Sequence, residues 1–154
     1  MNILAIETSC DETAAAVIED GIKILSNVVA TSMEIHEKTG GIIPEVAARE
    51  QVRCIIPVIN ETLRQCNNIT MDNISAIAVT VGPGLNGSLL VGIETAKTIA
   101  YITDKPIIPV NHIFAHIYAN WLDTHKLPEF PAIALIVSGG HTELFLMKSH
   151  DNMK

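Results

Sequence analysis

His112 and His116 stand four residues apart in a stretch that reads as a helix. That spacing sets both imidazoles on one helical face, where neutral ring nitrogens can share a metal ion. Position 113 holds no glutamate, so the pair is not the HExxH of metalloproteases. A third ligand, a carboxylate by preference, is required, and spacing does not identify it; the same spacing also arises with no metal role. Asp11 and Glu12 form a second candidate, an acidic pair among Thr8, Ser9 and Thr13. Such a turn suits proton abstraction or the positioning of water, metal or phosphate, and it is equally what a polar turn looks like. Ser138-Gly139-Gly140-His141-Thr142 joins two strand-like runs. Its small residues let backbone N–H groups approach an anion, and an ordinary hairpin would carry them as well.

Gly82, Gly84 and Gly87 match G-x-G-x-x-G after a strand and before a helix. A dinucleotide site has that context, but normally on its first strand, whereas this turn lies some 80 residues in and is stiffened by Pro83. A glycine-permitted structural turn, open to contact with another ligand, is the preferred reading. Cys10 has no evident base beside it. Glu45 and Arg49 read as an i, i+4 surface ion pair, and Trp121 as packing.

The elements that must position these groups follow from periodicity. Ile3–Thr8, Thr13–Ile18 and Ile22–Ala30 predict three strands in a meander, with residues 7–13 on its first turn. Pro44 suits a helix start, and the apolar pattern from Val46 to Leu63 continues that helix until Asn67-Asn68. Pro57 predicts a kink or two helices there. Ala76–Val81 is a buried-type strand, Ser88–Thr103 a helix and Ile107–Val110 a short strand. Asn111 can cap a helix reaching about Trp121. Ala132–Val137 and Thr142–Met147 predict a hairpin. The order βββ–α–β–α–β–α–ββ predicts an α/β layered domain with a partly parallel sheet and no internal repeat.

At 154 residues, one domain with one real core is expected. No run approaches the ~18 apolar residues of a membrane span, and the start lacks the basic region of a signal peptide. Three widely spaced cysteines suit a reducing, cytoplasmic compartment. The net charge of −7 argues against tight, unaided nucleic-acid binding.

Taken in order, ETSCDET at 7–13, GGIIPEVAARE at 40–50, GPGLNGSLLVG at 82–92, NHIFAHI at 111–117 and LIVSGGHTEL at 135–144 resemble the tRNA N6-adenosine threonylcarbamoyltransferase family, over essentially the whole chain. The resemblance implies an α/β, actin/sugar-kinase/heat-shock-ATPase-like lobe with a mixed five- or six-stranded sheet and flanking helices. It implies transfer of threonylcarbamoyl from threonylcarbamoyl-adenylate to N6 of the adenosine 3′ of the anticodon, in tRNAs reading A-starting codons. It implies Fe(2+), or Zn(2+), on His112 and His116, with a third ligand, an Asp, outside this chain. Ile136, Val137, Ser138, Gly139 and Gly140 match the family's adenylate-cradling loop. Asp11 and Glu12 match its acidic cleft-facing turn, where a carboxylate would assist deprotonation of the adenine amine. The implied partners are tRNA, threonylcarbamoyl-adenylate, a paralogous scaffold subunit and a small ATPase, with no membrane.

Two departures stand out. Phe114-Ala115 occupy the place where the family usually carries an acidic–glycine pair. Family members are also roughly twice as long, so residues 1–154 are expected to form one lobe of a two-lobed enzyme, from a fragment or a truncated product, inactive or nearly so alone. A non-catalytic scaffold lobe is the alternative, although the retained histidines speak against it. A sugar or acetate kinase would need an early Asp-x-Gly-x-[Ser/Thr] loop, where ETSCDET stands instead.

Overall fold

The computed structural model describes residues 1–37, 40–124, 127–138 and 142–154. Three antiparallel strands open the chain: β1 (Asn2–Glu7), β2 (Glu12–Glu19) and β3 (Lys23–Thr31). A short helix α1 (Met33–Glu37) and a long helix α2 (Pro44–Gln65) follow. Next come β4 (Ile74–Gly82), α3 (Asn86–Thr103), β5 (Ile107–Asn111) and α4 (His112–Tyr118). The main sheet has the order β3-β2-β1-β4-β5, with β1, β4 and β5 mutually parallel. The strands β6 (Ala132–Val137), β7 (Thr142–Ser149) and β8 (Asn152–Met153) form a separate three-stranded sheet.

Alternation along the strands divides the main sheet into two faces. Leu4, Ile6, Ala15, Val17, Ile77 and Val79 turn towards α2 and α3 and form the principal core with Ile55, Val58, Ile59 and Ala96. The intervening residues Ala5, Glu7, Ala14, Ala16, Ala78 and Thr80 line the opposite face. A second core gathers Ile113, Ile117, Trp121, Ile136 and Met147 between α4 and the small sheet. Trp121 therefore packs, with its ring centroid 5.9 Å from that of Phe130.

The element order agrees with the sequence reading apart from helix α1 and the closing strand β8, which that reading lacks, and the five-stranded mixed sheet falls within the expected range. Of the two outcomes expected at Pro57, a division into two helices does not occur, since α2 runs as one element from Pro44 to Gln65. Pro57 lies on the exposed face, so the Arg53 carbonyl that loses its helical partner faces water rather than the core. Helix α1 is one of the two added elements. Its five residues are too few to show a period, and it forms because Ser32 O accepts from Ile35 and His36 N–H at 3.0 and 3.3 Å.

Candidate active site

Residues 8–11, between β1 and β2, are held from three sides. The Gln51 amide, 1% exposed on α2, donates to Cys10 O and Glu12 O, both at 2.9 Å. Ser32 Oγ donates to Asp11 O at 2.8 Å. Leu85 N–H, from the glycine turn, donates to Ser9 O at 2.7 Å. Buried Thr8 donates its hydroxyl to Ser88 O at 2.7 Å and so ties the turn to the start of α3. The glycines make these approaches possible. A Cβ on Gly84 would overlap Ser9 O, and one on Gly92 would overlap Thr8 Oγ1. Within G-x-G-x-x-G, close packing of one turn on another thus accounts for Gly84, while Gly82 answers to its φ of 150°.

The cost of losing the Gln51 clamp can be stated. Gln51→Leu keeps the volume but strips two carbonyls of their donor, which should destabilise the fold by about 1–3 kcal/mol. Urea denaturation checks this, and an unchanged midpoint would show that the clamp is idle.

The polar groups converge at the carboxyl ends of the three parallel strands. This is where ligands bind in open α/β sheets, because backbone groups and loops gather there while the sheet body is filled by apolar side chains. Glu7 ends β1, Thr80 lies near the end of β4 on the same face, and His112 follows β5. Glu7 Oε1 accepts from Ser9 N–H at 2.5 Å, and Thr80 Oγ1 donates to Glu7 Oε2. His112 Nδ1 lies 3.0 Å from Ser9 Oγ and 3.4 Å from Glu7 Oε2. Burial pushes the Glu7 carboxyl upward, but hydrogen bonds from the Ser9 hydroxyl, Thr80 and the Ser9 amide, with the nearby His112 ring, together hold it below the ordinary value. Glu7 is therefore an anion at neutral pH.

Asn111 starts α4 as expected, since its side-chain oxygen accepts from Ile113 and Phe114 N–H at 2.9 and 3.1 Å. That cap makes His112 the first helical residue and places His116 one turn on. The ring centroids are 4.5 Å apart at 84°, and the two Nε2 atoms are 3.1 Å apart. Metal–nitrogen bonds of about 2.0–2.1 Å, meeting at 90–109°, separate two such nitrogens by about 2.8–3.4 Å. The pair therefore fits a shared cation. Among the described residues no group of three or more His, Cys, Asp or Glu is arranged to hold a metal, so the two histidines form a half-site. Beside them an open, mostly apolar cavity of about 420 Å³ runs along the alanine-lined face of the sheet.

Among the described residues, no hydrogen bond joins the other sequence candidates to the histidines. Asp11 lines a cleft of about 50 Å³ with Ser32, Glu50 and Gln51, and the Glu12 side chain is exposed. Ile136 turns into the second core, whereas Val137 and Ser138 are exposed at the end of β6. Gly139, Gly140 and His141 lie outside the described residues. Cys10, Cys54 and Cys66 are all unpaired. Burial and the adjacent Asp11 push the Cys10 thiol up, away from nucleophilic thiolate character. Glu45 and Arg49 form the expected surface pair at 2.6 Å. Sequence reasoning passed over Glu7, Thr80 and Gln51 as site residues. Only the shared face of β1 and β4 gives the first two a common purpose.

The strand order, the flanking helices and a polar cluster at the parallel strands' carboxyl ends define an α/β protein of the actin-like ATPase fold class. Solved structures with this fold include YeaZ from Pseudomonas aeruginosa (TM-score 0.52, 18% identity, 72% of this chain and 45% of that one). A Pseudomonas aeruginosa protein described as similar to peptidase YEAZ superposes with a TM-score of 0.57 at 17% identity, over 94% of this chain and 63% of that one. The PPX-GPPA enzyme of Aquifex aeolicus gives 0.50 at 14% identity, over 96% and 48%. At the level of sequence, the family described as "TsaD: tRNA N6-adenosine threonylcarbamoyltransferase" matches residues 23–154. Proteins of that name from Thermomicrobium roseum and Staphylococcus saprophyticus are 56% and 57% identical, over 97% and 96% of this chain. The chain belongs to the tRNA N6-adenosine threonylcarbamoyltransferase family. It spans 42% of the length of each of these two relatives.

Proposed function

We propose that this chain forms one lobe of an enzyme that moves threonylcarbamoyl from threonylcarbamoyl-adenylate to N6 of the adenosine 3′ of the anticodon, in tRNAs reading A-starting codons. One observation carries the reading. In a chain 56–57% identical to proteins of that name, Glu7, Ser9, Thr80, His112 and His116 meet at the carboxyl ends of three parallel strands. In the reaction the adenine N6 attacks the carbamoyl carbon, the bond to the adenylate phosphate breaks, and AMP leaves. The N6 proton passes to a carboxylate, and Asp11 or Glu12, on the same turn as Ser9, is the assigned acceptor.

His112 and His116 would hold Fe(2+) or Zn(2+), the third ligand coming from outside this chain. When bound, such an ion supplies Lewis-acid polarisation of a substrate oxygen. The protein's part is to hold both Nε2 atoms at one point and to keep the anionic Glu7 behind them. Val137 and Ser138, exposed at the end of β6, support assigning Ile136–Gly140 as the adenylate loop through backbone contacts. Helices α2 and α3 present Val52, Ile56 and Leu90 to solvent, and we assign the paralogous scaffold subunit to this apolar surface, with the small ATPase joining the complex. Sharing tRNA among subunits suits a chain of net charge −7. Among the described residues no helix is long and apolar enough to cross a membrane. The unpaired cysteines support a reducing, cytoplasmic setting.

The test is transfer itself. The chain is incubated with Fe(2+), threonylcarbamoyl-adenylate, unmodified tRNA and the two partner proteins, and threonylcarbamoyladenosine is sought by mass spectrometry. The same assay is run on the chain extended with the remaining sequence of a longer relative. Product from the extended chain alone is expected. Product from the 154-residue chain would overturn the single-lobe reading, and none from either would overturn the transfer reading.

A further inference from the structure

We propose that Ser9 and Glu7 act as a positioning pair that fixes the tautomer of His112, so that its Nε2 lone pair faces the point shared with His116. The inference rests on the metal reading above for its purpose, but its geometry stands alone. His112 Nδ1 sits 3.0 Å from Ser9 Oγ and 3.4 Å from Glu7 Oε2. A lone pair on Nδ1 would face the Glu7 carboxylate and be repelled, so Nδ1 carries the proton. The Ser9 hydroxyl oxygen, at 3.0 Å, is the nearer acceptor for Nδ1–H, and Glu7 Oε2 lies on the same side of the ring at 3.4 Å. Both groups that face Nδ1 therefore favour its protonated form.

Glu7 is itself fixed by Thr80 and by the Ser9 amide, so neither carboxylate oxygen is free to turn away. With Nδ1 protonated, Nε2 of His112 is the unprotonated atom, and it lies 3.1 Å from Nε2 of His116. With His112 Nε2 as acceptor, His116 Nε2–H is the donor across that distance. A cation held by the pair would take the place of this proton, His116 then carrying its proton on Nδ1. Ser9 and Glu7 touch neither substrate nor metal in this arrangement and work through the histidine.

The test uses the whole chain labelled with ¹⁵N-histidine, with Ser9→Ala and Glu7→Gln as variants. Long-range ¹H–¹⁵N correlation spectra at neutral pH report which ring nitrogen is protonated. Zn²⁺ affinity is measured by competition with a chelating dye, and circular dichroism checks the fold. His112 should show a protonated Nδ1 and a bare Nε2 in the wild type. Each variant should move population towards the Nε2–H form and weaken Zn²⁺ by about 10–100-fold, the usual effect of losing an outer-shell partner. Should Glu7→Gln fail to fold, Ser9→Ala decides the matter, since it removes one oxygen from a part-buried site. A protonated Nε2 in the wild type, or a tautomer unmoved in the folded variants, overturns the proposal. A wild type with the expected tautomer and no Zn²⁺ binding supports the positioning pair and sinks the metal reading alone.

Discussion

Gly84→Ala should cost the fold about 1–3 kcal/mol, seen as a lower urea midpoint with an unchanged slope. The added methyl group would overlap the Ser9 carbonyl oxygen and crowd Ser9 Cα and Cβ. Backbone atoms cannot rotate aside as a side chain can. The two turns must separate, and the 2.7 Å bond from Leu85 N–H to Ser9 O lengthens or breaks. The same movement draws Ser9 from His112, so Zn²⁺ affinity should fall along with stability. Gly87→Ala is the internal comparison. Its Cβ would lie 3.3 Å from Ala48 Cβ, a mild approach offset by the better helix propensity of alanine, so it should stay within about 1 kcal/mol of the wild type. Equal effects at both positions would mean that the turn-to-turn approach is not the determining contact.

His116→Ala should abolish measurable Zn²⁺ binding while leaving the fold intact. The side chain is exposed, and alanine is a good helix former, so the stability change should stay within about 0.5 kcal/mol. One imidazole then remains where two nitrogens stood 3.1 Å apart. The loss should exceed the ~10–100-fold caused by outer-shell changes, because a bond to the ion itself is removed. His150→Ala serves as control. That ring stacks on Tyr118 with centroids 5.6 Å apart, and its removal should leave metal affinity untouched. Undiminished binding by His116→Ala would place the ion elsewhere.

Much of this architecture is legible from local pattern. The run Ala76–Val81, buried as far as Thr80, emerges as a strand because its length and its flanking turn residues admit little else. Asn111 announces the start of α4 through the chemistry of its side chain, and the cap is found where it was expected. The i, i+4 spacing of His112 and His116 is likewise a local property, fixed by helical pitch. Pro57 leaves one helix or two open because its consequence depends on which face of α2 meets water, and the local pattern alone does not place that face. Helix α1 is invisible because five residues carry no period.

The site's supporting groups are of another kind. Nothing near Glu7 in sequence distinguishes it from a polar residue ending a strand. It becomes the anchor of His112 only when β4 lies parallel beside β1, bringing in Thr80 from 73 positions away, and when α4 delivers His112 from 105 away. Gln51 reads as one more polar residue on a helix until the packing of α2 against β2 carries it beneath the turn. The sequence by itself determined the order of the longer elements, the family and the paired histidines, because helix pitch, strand alternation and turn chemistry act over a few residues. Tertiary structure alone decided which carboxylate faces His112, why Gly84 and Gly92 must lack side chains, and that β6–β8 form a sheet of their own. These depend on strand order and register, which are set by long-range packing.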